Sequence, residues 1–309
     1  MSAIPFITEH DVPAGRLDRL APTLQRLQGD NPGPFTFTGT GVFILGGGDQ
    51  VVVIDPGPDS PGHRAALLSA LDGRAVSHIL ITHHHLDHTA CVDWLQQMTG
   101  AKTYGYGRPV RMADEDCGSR MEAGDDCTFC PDVELQDGDR IEGNGFTVEA
   151  LHTPGHASNH MCYATTLGDD EDVLFCGDHV MAWSTSVVSP PDGHMGDYIA
   201  QLIRIRDRDF TTLYPTHGAA LHRPRAFLDA YIDHRRARDA GVLRCVETGL
   251  SDIRSMVAEL YPDLDRKLIP AACHSVLAHL ITLREQGRVR GSGEDGLGCL
   301  YRPLVLAAE

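Results

Sequence analysis

The sequence predicts an α/β fold: a layered body over residues 1–235 and a small helix–helix–hairpin module over residues 236–309. Three observations carry this reading. Short β-rich runs alternate with helical segments from residue 35 onward. Clusters of histidine and aspartate recur just past the ends of those runs. The charge balance also changes near residue 235, with 16 basic against 33 acidic side chains before it and 10 of each after it.

The elements follow in order. Phe35–Leu45 and Gln50–Asp55 flank a Gly-rich turn and predict a hairpin. "PGHRAALLSALDG" predicts a helix ending at Gly73. "SHILIT" reads as a short buried strand that delivers the chain into "THHHLDH", and "ACVDWLQQMTG" reads as a helix. Residues 108–145 are acidic, Gly-rich and irregular. Strands are expected at "FTVEALHT", "HMCYATT", "DVLFCGD" and "TTLYPTHG", with an amphipathic helix at "GDYIAQLIRIRD". The chain turns helical from about residue 224.

Composition narrows the function classes. No run approaches the ~18 apolar residues a membrane span needs, and the N-terminus lacks a basic start followed by an apolar core. A cytosolic protein without membrane partners is the expectation. The nine cysteines are odd in number and scattered, which fits reduced thiols rather than a disulfide framework. A net charge of −17 repels polyanions at long range and argues against tight nonspecific binding of nucleic acid.

Five motifs share one position, beyond a predicted strand end: "DPG", "THHHLDH", "TPGH", "GD" and "THG". Loops there line the active cleft of layered α/β folds, so a common metal centre is expected. Side chains alternate along an extended run. His83 and His85 therefore point one way and His84 the other. Asp87 and His88 follow after the chain begins to turn into a helix, placed to face a second metal. Imidazole and carboxylate donors suit zinc, and manganese or iron less exclusively.

"THHHLDH" resembles the HxHxDH signature of the metallo-β-lactamase-fold hydrolases, and "HTPGH", "FCGD" and "PTHG" match its later motifs in order. The resemblance covers residues 35 to about 235. It implies an αββα sandwich with a dinuclear site, two Zn2+ per chain, at one edge. His83, His85 and His156 would hold one metal. Asp87, His88 and His217 would hold the other, with Asp178 bridging. Asp55 would orient ligands from behind. Asp87 would also help orient the nucleophile, and His160 is the candidate to protonate a leaving group or bind substrate.

Neighbouring residues have plainer readings. His84 is expected to be no ligand, and His152, in its strand, to be structural. His179 directly follows Asp178 and is a weaker candidate. Tyr198 and Asp197 start a helix within reach of the cleft, although Asp197 reads equally as an N-cap. Cys127 and Cys130 form a CxxC with Cys117 upstream; with no evident fourth ligand, three reduced thiols is the simpler reading. Cys176 is expected to be a buried strand residue.

In the C-terminal module, Ser251 reads as the N-cap of "DIRSMVAEL", and Pro270 lies near the start of a second helix that Gly287 ends. Val276, Leu277, Leu280 and Leu283 form a stripe at helical period. "RVRGSGEDGLGCLYRPL" predicts a hairpin, with Arg288 and Arg290 before its tip and Glu294 and Asp295 on it. Helix, helix, hairpin resembles a winged helix. Joined through "YIDHRRARDAGVL", it resembles the lactamase-beta-like subgroup, which includes a mitochondrial endoribonuclease. The neutral module lacks the basic stripe of a DNA reader, so a packing or substrate-wall role is favoured.

A two-metal site implies a bridging hydroxide attacking an ester, thioester or related acyl substrate. The motifs resemble the glyoxalase II branch. A winged helix replaces that branch's glutathione-binding helices, however, and Lys102 and Lys267 are the only lysines. The alternative is a metal-dependent endoribonuclease or phosphodiesterase. A nucleic-acid-binding regulator and an iron dioxygenase are lesser readings. The partner is expected to be a small molecule, with RNA as the alternative, and the oligomeric state is open.

Overall fold

The computed structural model describes residues 4–110, 124–168, 170–293 and 295–304. Cys117 and Glu294 lie outside the described residues.

Strands β1 (Leu17–Ala21) and β2 (Leu24–Gln28) precede the predicted hairpin, β3 (Gly41–Leu45) and β4 (Gln50–Ile54). Helix α1 (Pro61–Leu71), β5 (Ala75–Leu80), the single turn α2 (Leu86–Thr89), α3 (Val92–Thr99), β6 (Lys102–Gly105) and β7 (Val133–Glu134) follow. These seven strands pair in sequence order as one sheet. The second sheet is built from β8 (Arg140–Gly143), β9 (Phe146–His152), β10 (Met161–Leu167), β11 (Glu171–Gly177), β12 (Thr212–Pro215) and β13 (Leu221–His222), also in sequence order. Helix α4 (Met195–Arg208) crosses between β11 and β12, which run parallel.

The sheets pack face to face. Phe43, Leu45, Val52 and Ile54 of the first meet Val148, Ala150, Tyr163 and Phe175 of the second, all buried. Burying these apolar faces is the main favourable term holding the sandwich. Leu67 of α1 and Leu95 of α3 seal the outer face of the first sheet. Tyr198, Leu202 and Ile205 of α4 and Phe227, Leu228 and Tyr231 seal that of the second. The result is the αββα sandwich of the expectation.

Several elements differ from their sequence reading. Only Gly41–Leu45 of the run from Phe35 is strand. Phe37, with a φ of 54°, and Gly39, with a φ of 117°, break it. β1 and β2 carry no strand signal in the sequence because their apolar and polar residues do not alternate cleanly: β1 is largely exposed while β2 is almost wholly buried. Asp252, not Ser251, caps α6 (Ile253–Leu260), accepting from Ser255 N–H at 2.9 Å. Asp197 lies in the first turn of α4, whose cap is His194.

Helix α5 (Arg225–Glu247) runs unbroken through "YIDHRRARDAGVL" and across the 235/236 division. The helix expected from about residue 224 is therefore present, and it also forms the connection between the two parts. Helix α7 (Ile269–Glu285) and the antiparallel pair β14 (Val289–Gly291) and β15 (Tyr301–Pro303) complete the module. Its core joins Val242 and Val246 of α5 to Met256, Val276, Leu280 and Tyr301. Among the described residues, no helix is long and apolar enough to cross a membrane.

Candidate metal centre

The chain ends of β4, β5, β11 and β12 and the β9–β10 loop converge at one edge of the sandwich. Asp55 follows β4, residues 82–88 follow β5, His156 lies in the loop, Asp178 follows β11 and His217 follows β12. His85 has extended backbone angles and N-caps α2, so Asp87 and His88 sit on a helical turn. That change of backbone separates the two halves of "THHHLDH".

Two donor sets form. His83, His85 and His156 each bring a ring nitrogen within 4.8 Å of the others, and so do the donor atoms of Asp87, His88, Asp178 and His217. All seven residues are buried. In the first set Nε2 of His83 lies 2.9 Å from Nδ1 of His85. Nε2 of His156 lies 3.2 and 3.3 Å from those same two atoms. A cation about 2.0–2.1 Å from each nitrogen in tetrahedral geometry requires separations of roughly 3.3 Å. In the second set Nε2 of His217 lies 3.0 Å from Asp87 and 3.4 Å from Asp178, and Nε2 of His88 lies 3.5 and 3.6 Å from them. The sets adjoin, with the His83 and His88 rings 4.1 Å apart.

Outer partners settle which ring nitrogen faces inward. His156 Nδ1 donates to Val187 O at 2.7 Å, and His217 Nδ1 to Gly39 O at 3.3 Å. His88 Nδ1 donates to Asp55 Oδ2 at 2.9 Å. Thr82 Oγ1 donates to Asp55 Oδ2 at 2.8 Å, leaving it to accept from His83 Nδ1 at 3.0 Å. Each inward nitrogen is then the atom open to a cation. Nε2 of His88 and His217 meets the Asp87 and Asp178 carboxylates without a well-formed hydrogen bond, and Oδ1 of each aspartate is buried with none among the described residues. Such atoms are costly to bury unless something binds them. The residues fit a bound divalent metal.

Charge separates the halves. Burial, and then the neighbouring histidines, push His83 well down and His156 to about 4, so these rings stay neutral. Burial opposes protonation of His217, but Asp178 and Asp87 outweigh it and raise it to about 10; His88 rises well above its usual value for the same reason. Asp87 and Asp178 are held below the usual carboxylate range by His88 and His217, which outweigh burial. A cation would compete with protons in the second half.

Two glycines make the approach feasible. Gly155 has a φ of 147°, and a Cβ there would collide with the backbone of Tyr198. Gly177 has a φ of 51°, and a Cβ there would lie 2.5 Å from His160 Nε2. Only glycine allows these contacts.

The other candidates fall elsewhere. His84 turns away, with Nδ1 3.0 Å from Asn159 Oδ1. His152 stacks on Tyr106 and meets Ser158 O at 3.0 Å. His160 corrects its expectation. It is fully buried; Nε2 accepts the Asp178 N–H at 3.3 Å and Nδ1 meets Thr153 Oγ1 at 2.9 Å. Neither nitrogen is open to a leaving group, and the ring supports Asp178. Tyr198 is buried and donates to His179 O at 2.8 Å, away from the donor sets. His179 is buried outside both sets. Cys176 is buried in β11 as expected. Cys127 is disulfide-bonded, against the reduced reading, while Cys130 is a free, exposed thiol.

Sequence reasoning missed Arg26, buried on β2, which donates to Gly218 O at 2.5 Å and Thr216 O at 3.3 Å and so braces the His217 segment. It also missed Asp192, which accepts the Ser158 N–H at 2.8 Å beside His156. Neither carries a local motif.

Residues 36–217 match the family model described as the metallo-beta-lactamase superfamily. The chain belongs to the metallo-beta-lactamase superfamily. Residues 253–296 match the beta-lactamase associated winged helix domain. Membership together with the donor sets makes the protein a metal-dependent hydrolase. A Drosophila melanogaster protein, beta-lactamase-like protein 2 homolog, is 29% identical over 98% of this chain and 99% of its own. An atrochrysone carboxyl ACP thioesterase of a Cryptosporiopsis species is 30% identical over 79% of this chain and 69% of its own. The fold is shared with a metallo-beta-lactamase family protein from Thermus thermophilus, at 23% identity and a TM-score of 0.72, covering 92% of this chain and 100% of that one. A Burkholderia ambifaria beta-lactamase domain protein gives 22% and 0.75, covering 96% of each chain.

Proposed function

We propose that this member of the metallo-beta-lactamase superfamily is a dinuclear zinc hydrolase of small acyl substrates, thioesters and esters foremost. The observation that carries the reading is the pair of adjoining buried donor sets, with the outer nitrogen of His83, His88, His156 and His217 engaged by protein. Bound there, two zinc ions would lower the pKa of a shared water towards about 7 and polarise the substrate oxygen. His83, His85 and His156 would hold one ion, and Asp87, His88 and His217 the other, with Asp178 between them. Asp55 fixes His88 directly and His83 through Thr82. Asp87 would orient the water. The thioesterase name of the Cryptosporiopsis relative supports an acyl electrophile.

A substrate panel on zinc-loaded protein tests this: thioesters, lactones, a β-lactam, phosphodiesters and single-stranded RNA. Acyl cleavage abolished by Asp178→Ala is expected. Cleavage of RNA alone would replace the reading with the second one, a metal-dependent endoribonuclease. One observation favours that alternative. Arg290 and Arg302 stand opposite each other on β14 and β15, lining a 270 Å³ groove with Ser292. Like charges directly opposite are destabilising unless an anion binds between them.

A further inference from the structure

Residues 124–129 lie along the histidine motif as a strap. Gly124 O accepts the Leu86 N–H at 2.9 Å, and His84 O accepts the Asp126 N–H at 2.9 Å. Asp125 and His85 form an antiparallel bridge. Asp126 Oδ1 accepts the N–H groups of Thr128 and Phe129 at 3.1 and 3.0 Å. Phe129, buried among Ile79, Ile81 and Leu95, anchors the far end in the core.

This pairing brings Asp125 Oδ1 to 3.4 Å from His85 Nε2 and 3.3 Å from His84 Nε2. The carboxylate is only 11% exposed. His84 is itself fixed. Its Nδ1 faces Asn159 Oδ1, and Asn159 Nδ2 donates to Gly107 O at 2.8 Å, which sets the orientation of the amide. A third cation is the competing occupant, because His84, His85 and Asp125 also present donor atoms within 4.8 Å of one another. The chemistry of His85 argues against it. Its Nδ1 already faces His83 and His156, and a neutral imidazole has one lone pair to offer. Cations on both nitrogens would require an imidazolate.

We propose that Asp125 is a positioning residue of the metal centre: its carboxylate accepts the His85 Nε2–H and so presents the Nδ1 lone pair to the cation shared with His83 and His156. His84 holds Asp125 in place from the other side. This inference rests on the metal-centre reading above. It also gives His85 the outer partner that Asp55, Val187 and Gly39 supply to the other histidines.

Chelator competition on zinc-loaded protein tests it, with the visible bands of the cobalt-substituted form as a second readout. Asp125→Ala should weaken one of two metal equivalents about 10–100-fold and shift the cobalt bands, as loss of an outer-shell partner does. Asp125→Asn keeps an accepting oxygen and should restore most of the affinity. Asp126→Ala loosens the strap while sparing the carboxylate, and should lower stability without singling out one equivalent. The proposal fails if Asp125→Ala holds both equivalents as tightly as wild type, or if Asp126→Ala reproduces its loss. Wild-type protein that cannot hold two equivalents would overturn the metal-centre reading itself, and this one with it.

Discussion

His83, His84 and His85 are three identical side chains in a row, yet one backbone alternation gives them different work. His83 and His85 face His156, while His84 faces Asn159. Substitution should separate them. Asp178→Ala is expected to lower hydrolysis by roughly 10²–10³-fold or more, the usual cost of losing a central electrostatic group, and to reduce bound metal by elemental analysis. His84→Ala should keep close to two equivalents per chain at saturating zinc, because His84 reaches the metal only through Asp125; losing one even at saturation would overturn the alternation argument. Arg26 sits behind this group. Arg26→Met should cost about 1.5–3 kcal/mol in urea unfolding, because the carbonyls of Gly218 and Thr216 lose a charged donor.

At the level of elements, α5 matters most. Its first half covers the second sheet through Phe227 and Tyr231, and its second half enters the C-terminal core through Val242 and Val246. Contacts beyond it tie the module to the segment between β11 and α4 and to the start of α4. Thr282 Oγ1 accepts the Gly196 N–H at 3.0 Å, Ser189 Oγ meets His274 at 3.0 Å, and His194 meets Glu285 at 2.8 Å. His234 on α5 gives a pH test. Burial first, then Arg235, Arg238 and His279, lower it to about 4 from 6.5. Between those values the unfolded chain binds a proton that the folded chain refuses, so acid favours unfolding. The stabilisation is full above pH 6.5 and lost as pH falls towards 4. For this half-buried ring it amounts to on the order of 1 kcal/mol after allowing for solvent screening. His234→Gln should flatten the denaturation midpoint over that range; an unchanged slope would count against the assignment.

Across the whole molecule, the shared helix couples the two cores. Calorimetry should show one cooperative transition for the intact chain, and two resolved transitions would mean that the cores melt independently. The inter-sheet layer is the main contributor to the sandwich. Phe175→Ala, at a ring packed against Phe43 and Tyr214, should cost about 3–5 kcal/mol and lower the melting temperature without changing the number of metals bound.

Much of the fold and of the site is legible in local pattern. The strand-end placement of Asp55, His83, Asp178 and His217 follows from it, because hydrophobic runs and their terminating motifs are short-range signals. The alternation at His83–His85 and the turn at Asp87–His88 follow from backbone geometry alone. What the sequence could not show lies where distant segments meet. The His160 ring is closed off by the backbone of Asp178 and by Thr153. Arg26 reaches the His217 segment across 192 positions. Asp125 reaches His85 through a strap in an acidic stretch without periodicity. That the helix expected from about residue 224 serves both cores is also a tertiary fact, because each of its halves finds a different apolar surface to cover. The sequence by itself determined the candidate donor motifs and their order along the chain, since strand ends and the motifs that follow them are short-range signals, while their division into two sets is what the family resemblance implies. Only the tertiary structure decided which atoms of those residues face inward, because each outer hydrogen bond comes from a segment that folding brings near.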